Sequence, residues 1–293
     1  MSTHLTVTSI DRARILKSAS TIGMLGSGAR NAPRIIAALC DPGVSAAGIA
    51  ALVAEEPTLY ARVLRVANSA YYGQSRSVSS VERALVLLGV DAVRGIAAAA
   101  CLDRTFARAA NDGMVNMRAM IHHSHATAAA ADSLARISHP ALAPEVFIAG
   151  LLHNLGVAVQ VQLDTPAVRA IIDLRRNGDR RDIRVLESEQ SAVSHEECAA
   201  VIFDAWQLPQ SLIAGIRHHH DPMMAPEPHR EVAALVNLGA TVGLAVGSTH
   251  TLEPIAVEHN APAMARLGVS AEQLESVTRA LPDRLAHLSR ALA

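Results

Sequence analysis

The stretch that most narrows what this chain can fold into is Val146-Phe-Ile-Ala-Gly-Leu-Leu-His-Asn-Leu-Gly156. It is an apolar run with one imidazole and one amide in its middle, and it stops at a glycine. A run of this kind reads as a buried helix over Val146–Leu155. Its last turn must aim His153 and Asn154 at partners, because a buried polar side chain without one is costly.

A buried helix needs other helices around it, and the composition supplies them. Half of the 293 residues are hydrophobic (50%), only 2% are aromatic, and alanine is very frequent. Alanine is the best helix former and lets helices approach closely. No segment alternates as a strand would, and no solenoid-type repeat appears. The expected fold is therefore all-α, in one large domain or two small ones.

Local signals divide the chain further. Residues 9–30 read as one helix and Ile35–Leu39 as a short second one. Ser45 caps Ala46–Ala54, and Pro57 opens the next helix at its first turn. Ser79 with Glu82 is expected to cap Val81–Leu88, and Asp91 to cap Ala92–Arg104. Asn111-Asp112-Gly113 is the expected boundary between halves of about 9–110 and 114–246. The second half holds a long helix from Met114 to Arg136, with His123, Thr127, Ala130 and Leu134 on one face. Further helices are expected at 146–155, 166–177, 194–206, 209–219 and 231–246. A C-terminal extension over 247–293 begins its helix at a Ser270/Gln273 cap.

Several function classes find no support. Net charge is −1 with both signs interspersed, so nothing points to nucleic acid or an anionic membrane. No apolar run approaches the ~18 residues of a membrane span, and Met1–Ser20 carries no signal-peptide pattern. The expectation is a cytoplasmic protein. Cys40, Cys101 and Cys198 are far apart and odd in number, as in a reducing compartment. No phosphate-cradling glycine loop and no nucleophile elbow is present. The arginines at 175, 176, 180 and 181 read as a solvated cluster.

The fourteen histidines carry the chemistry. His123 lies inside a helix, His153 ends one, His195 starts one, and His218, His219 and His220 follow another. Imidazoles converging from separate helices are the raw material of a metal site. The alternative for His123 and His153 is a hydrogen-bonded core histidine. For the 218–220 run it is a cation favoured at a helix C-terminus. His122 and His125 are expected to be solvated.

Taken in order, these pieces resemble the HDOD family, the HD-related output domains of bacterial signalling proteins. The resemblance spans about 28–225. It rests on Asp41-Pro42, Glu56-Pro57, Val63-Leu-Arg-Val-Ala-Asn-Ser-Ala-Tyr-Tyr-Gly73 and Val78-Ser-Ser-Val-Glu-Arg-Ala-Leu-Val-Leu-Leu-Gly89. It continues in His123-Ser124, Gly150–Gly156, His195-Glu196, Trp206–Pro209 and His218-His219. It implies an N-terminal helical half joined to an HD-like half related to the HD and HD-GYP phosphohydrolases. An active HD pattern would have Asp where this chain has Asn154, and another acid within Leu235–Thr241, where it has none. No Gly-Tyr-Pro follows His219.

The resemblance therefore implies a regulatory protein that contacts other signalling proteins, with no catalytic residues. His123, His153, His195, His218 and His219 would remain as a vestigial pocket, with no cofactor beyond a single weakly held transition metal. Any input or output domain, such as a receiver, GGDEF or EAL segment, is expected to belong to a partner. The alternatives are a metal-dependent phosphohydrolase acting on cyclic di-GMP or another nucleotide, and a nucleotide-binding receptor. The polar loop Asn68–Ser77 is the expected interaction surface, with Asn68, Tyr71 and Tyr72 as its contact residues. Burial of that loop between the two halves is the competing reading.

Overall fold

The computed structural model describes residues 9–25, 32–41, 43–68, 78–90, 92–98, 114–253 and 259–292. Every regular element among them is helical, as the all-α reading expects. The N-terminal part holds α1 (Ser9–Leu25), α2 (Ala32–Cys40), α3 (Ala46–Ala54), α4 (Pro57–Ala67), α5 (Val81–Leu88) and α6 (92–98). The second part runs α7 (Met117–Ser138), α8 (Ala143–Leu152), α9 (Leu155–Leu163), α10 (Thr165–Arg176), α11 (Ile183–Gln190) and α12 (His195–Ala205). It ends with α13 (Gln210–Arg217), α14 (Arg230–Ala245), α15 (Ala261–Leu267) and α16 (Ala271–Leu292). The expected boundary at 111–113, Asp91 and Cys101 lie outside the described residues.

The helix starts follow from side-chain caps. Ser45 Oγ accepts from the Gly48 N–H at 3.1 Å, satisfying a donor that the first turn leaves free. At α5 the cap is Ser80, not Ser79: its Oγ accepts from the Arg83 N–H at 3.2 Å. Ser270 and Gln273 cap α16 reciprocally, at 2.9 and 3.2 Å, and the helix then continues through Pro282.

Helix α7 is the spine. It packs against α8, α14 and α16, and it is buried along most of its length because small residues let its neighbours come close. Ala126, Ala128, Ala130 and Ala131 have no exposed surface. A Cβ on Gly150 of α8 would lie 2.7 Å from the Ala128 Cα, so these two helices meet backbone to backbone.

The Val146–Gly156 stretch departs from its expected form. Helix α8 stops at Leu152, His153 and Asn154 form an elbow, and α9 continues to Leu163. Gly156 does not end a helix. It lies inside α9, where a Cβ would come 1.8 Å from the His195 carbonyl oxygen. The glycine is there for a close approach to the start of α12. By length and mean hydropathy (1.6), the segment Pro140–Leu163 has the make-up of a membrane span, against expectation. It is broken at the elbow, however, and 83% of its most apolar window is buried inside the fold.

Both ends of the chain are woven into the body. Helix α1 packs on α12 and α9 of the second half, with Ile15 against Val193 and Cys198 and Arg12 paired to Glu197. Helix α16 spans α4, α7 and α14, and Arg284 reaches Asp132 of α7 at 3.0 Å. One large hydrophobic core unites residues from both halves and from α15 and α16.

Candidate metal centre

Four elements deliver imidazoles to one place. His123 comes from the middle of α7, His153 from the elbow after α8, His195 from the first position of α12, and His219 and His220 from just beyond α13. A fifth, the loop after α14, adds His250 and Glu253. His123, His153, His195, His219 and His250 are all at most 4% exposed. Their ring centroids form a chain: 5.3 Å from His123 to His153, 4.9 Å from His153 to His219, and 5.3 Å from His219 to His195. His250 lies 5.1 Å from His123, and His220 lies 4.1 Å from His219.

Four of these rings are held in the same sense. His123 Nδ1 donates to the Ser248 carbonyl, His153 Nδ1 to that of Gly150 and His219 Nδ1 to that of Ile216, each at 2.7 Å. His195 Nδ1 donates to Glu187 at 2.9 Å. On a neutral ring, an acceptor at Nδ1 fixes the tautomer and leaves Nε2 with its lone pair turned inward, as the ligands of a metal centre are fixed; His195, which Glu187 keeps protonated without metal, offers that lone pair once a metal displaces its Nε2 proton. His153 Nε2 is buried without a hydrogen-bond partner, and His220 Nε2 faces the Glu253 carboxylate at 3.3 Å. A buried ring nitrogen without a partner, set among converging imidazoles, is free to act as a ligand, so the residues fit a bound metal ion.

Two groups have donor atoms within 4.8 Å of one another: His195 with His219 and His220, and His123 with His250 and Glu253. Glu253 lies between them. Its Oε2 is 3.1 Å from His250 Nε2 and 3.8 Å from His123 Nε2, and its Oε1 is 3.3 Å from His220 Nε2. The Asn154 amide turns to His250, with Nδ2 3.3 Å from its Nε2. Asn237 of α14 donates to the His219 carbonyl at 2.7 Å, while its own Oδ1 is buried and unbonded.

Burial sets the electrostatics. It brings His123 down to about 4 and His220 down to about 3, and it holds His153 and His219 well below the ordinary imidazole value. His195 is the exception: burial opposes its charge, yet the Glu187 carboxylate outweighs burial and pushes the ring up to about 9. Burial alone would raise the Glu253 carboxyl, but His220, His250 and His123 hold it well below the carboxylate range. Burial pushes the Glu196 carboxyl, 3.9 Å from His219 Nδ1, up to about 7.

The centre opens to a cavity of about 360 Å³ that reaches the surface past Arg175, Arg180 and Arg181, with His219, His220, Asn237 and Glu253 on its inner wall. The arginines are thus not simply a solvated cluster. Arg175 donates to the carbonyls of Leu252 and Arg181 at 2.8 and 2.7 Å, which pins the loop carrying Glu253. Arg181 pairs with Asp179 and Glu189. Arg180 is exposed at the rim.

Of the expected site residues, the structure joins His123, His153, His195 and His219. His218 is not part of the cluster: it caps α13 half-buried, one position before it, and His220 takes its place. Acids are absent at 154 and within 235–241, but two carboxylates from elsewhere, Glu253 and Glu187, reach the histidines. His125, expected in solvent, is buried. Asn68 fastens its own loop: Nδ2 donates to the carbonyls of Leu64 and Val78, both at 2.8 Å, and Oδ1 accepts from the Val78 N–H at 2.7 Å. Tyr71 and Tyr72 lie outside the described residues. His250 and Glu253 were missed because they sit in a loop with no helical spacing. The Glu187–His195 pair was missed because helix 183–190 was not foreseen.

The helices and the convergent imidazoles define an HD-like helical domain. The HDOD domain matches residues 25–222, and the chain belongs to the HDOD family. A protein of Treponema pallidum (strain Nichols), described only as uncharacterized, is 26% identical over 202 residues, covering 68% of this chain and 38% of that protein. This chain thus matches less than two fifths of that relative. An HDOD domain protein with unknown function from Geobacter sulfurreducens superposes with a TM-score of 0.70 at 21% identity, over 88% of this chain and 89% of that one. A "Putative signal transduction protein" from Marinobacter aquaeolei VT8 gives 0.74 at 23% identity, over 97% and 66% of the two chains. A "Putative phosphohydrolase" from Shewanella amazonensis SB2B gives 0.69 at 20% identity, over 96% and 98%. These likenesses establish the fold.

Proposed function

We propose that this chain is a cytoplasmic signal-transduction domain that holds a transition metal on its convergent imidazoles and acts by binding, not by turnover. The observation that carries the reading is the set of four rings fixed through Nδ1, with His153 Nε2 buried and orphaned at their centre. His123, His153, His195, His219 and His220 supply the imidazoles from which metal ligands would be drawn, and imidazole suits zinc, iron, nickel or copper. A bound ion would act as a Lewis acid toward whatever enters the cavity.

Asn154 and Asn237 argue against hydrolysis. Charge clamping of a phosphodiester needs anionic ligands that stabilise closely spaced cations, and both side chains are neutral amides. The output is a contact with a partner signalling protein, for which we nominate the Asn68–Ser77 loop. The rival reading, a metal-dependent phosphohydrolase, draws its support from Glu253, which returns one carboxylate to the pocket.

The test is metal reconstitution followed by a phosphodiesterase assay. Chelator-stripped protein should take up Mn²⁺, Fe²⁺ or Zn²⁺ yet leave cyclic di-GMP and bis-p-nitrophenyl phosphate at background. Turnover that disappears in His153→Ala would establish the hydrolase instead. Failure to retain any metal would remove the centre from the account.

A further inference from the structure

Glu253 faces two groups of donors at once. One carboxylate oxygen approaches His250 and His123 and the other approaches His220, and His220 belongs to the second donor group with His195 and His219. A carboxylate placed this way, with imidazoles beyond each oxygen, is set up as a bridge between two cations. We propose that Glu253 is a bridging ligand of a two-ion centre, with one divalent transition ion on His123, His250 and one Glu253 oxygen and another on His195, His219, His220 and the other oxygen. This rests on the metal-holding reading above.

Three observations support the bridge. First, the loop after α14 brings Glu253 between the two donor groups, and it supplies a carboxylate where Asn154 has none. Second, the loop is held in place. Ser248 accepts from His123 through its carbonyl, and its hydroxyl meets His122 Nδ1 at 2.7 Å. Residues 250 and 253 exchange backbone hydrogen bonds at 3.3 and 3.1 Å, and Arg175 grips the Leu252 carbonyl. Third, the side chain at the elbow is the neutral amide of Asn154, so Glu253 is the carboxylate that stands between the two donor groups.

The charge argument favours Glu253 over neutral alternatives. Two cations a few ångströms apart repel strongly in a buried site, and a shared carboxylate lowers that repulsion where an amide supplies only a dipole. Without Glu253 the His123 side would keep two imidazoles and no anion. That ion should then bind at least about 100-fold more weakly, at or beyond the usual cost of disturbing a metal's supporting residues.

The experiment uses the full chain, stripped with chelator and reloaded with Mn²⁺, as wild type and as Glu253→Gln. Bound Mn²⁺ is counted by elemental analysis after desalting, and spin coupling is read by electron paramagnetic resonance. Wild type should hold two ions per chain with a coupled spectrum. Glu253→Gln should keep the ion on His195, His219 and His220 and show an uncoupled single-ion spectrum. A wild-type protein that saturates at one ion overturns the bridge, and so does a Glu253→Gln protein that retains two coupled ions. If Glu253→Gln does not fold, the wild-type spectrum decides alone. A protein that binds metal without coupling refutes only the bridge, whereas one that binds none refutes the metal-holding reading itself.

Discussion

Glu187 holds His195 twice: Oε1 accepts from its backbone N–H at 3.0 Å and from its ring Nδ1 at 2.9 Å. Both residues are buried, and Gln160 donates to the same oxygen at 3.0 Å. Glu187→Ala removes an anion from beneath a buried imidazole and leaves a backbone donor unpaired. The expected loss is about 3 kcal/mol, checked by chemical denaturation.

That pair also sets an alkaline limit on the metal-free protein. The ring is raised from 6.5 to about 9, so its folded state binds the extra proton. Its stabilisation is fully present below 6.5 and is lost as pH rises through about 9. The melting-temperature gap between metal-free wild type and Glu187→Ala should be full at about pH 6.5 and narrow as pH rises through about 9, leaving the part due to the unpaired His195 N–H.

On the acid side the sign reverses. His123 and His220 are lowered from 6.5 to about 4 and about 3, and His153 and His219 are also lowered, chiefly by burial. Below 6.5 the unfolded chain takes up protons that the folded one refuses, so stability falls as pH drops from 6.5 toward 4. Metal-free protein should lose stability steeply in this window. A flat melting profile between those values would show that the cluster is not dry.

Gly156→Ala places a methyl where the His195 carbonyl already lies, at 1.8 Å. Neither helix backbone can yield cheaply, so the cost should reach about 3 kcal/mol. Thermal melting measures it, and metal uptake should weaken together with it, because the start of α12 carries His195.

Asn68 makes two hydrogen bonds to Val78 and a third to the Leu64 carbonyl of α4. Asn68→Ala should cost about 2 kcal/mol by unfastening residue 78 from α4. If the loop is the partner surface, Tyr71→Ala with Tyr72→Ala should reduce partner capture while leaving the melting temperature nearly unchanged. A large drop in melting temperature would make those tyrosines structural.

Much of this was legible in the residues. Periodicity and caps placed most of the helices, and the spacing of His123, His153, His195 and His219 gave four of the rings that meet. These signals are local, since a cap or an apolar stripe is decided within a few positions. What escaped depends on long-range contact. Ser80 displaced Ser79 by one position within the same serine pair. Gly156 looks like a helix stop unless the carbonyl of His195 is seen against it. Glu253 follows no helical pattern, and the HD pattern directs attention to acids at 154 and 235–241, not to the loop after α14.

The tether from Arg175 to Leu252 has a practical consequence. The family segment ends at 222, and a fragment trimmed there would look like a complete domain by similarity. It would nonetheless lack α14, His250 and Glu253, and Arg175 would lose the Leu252 carbonyl. Assays on such a fragment would return silence, and that silence would describe the cut and not the protein.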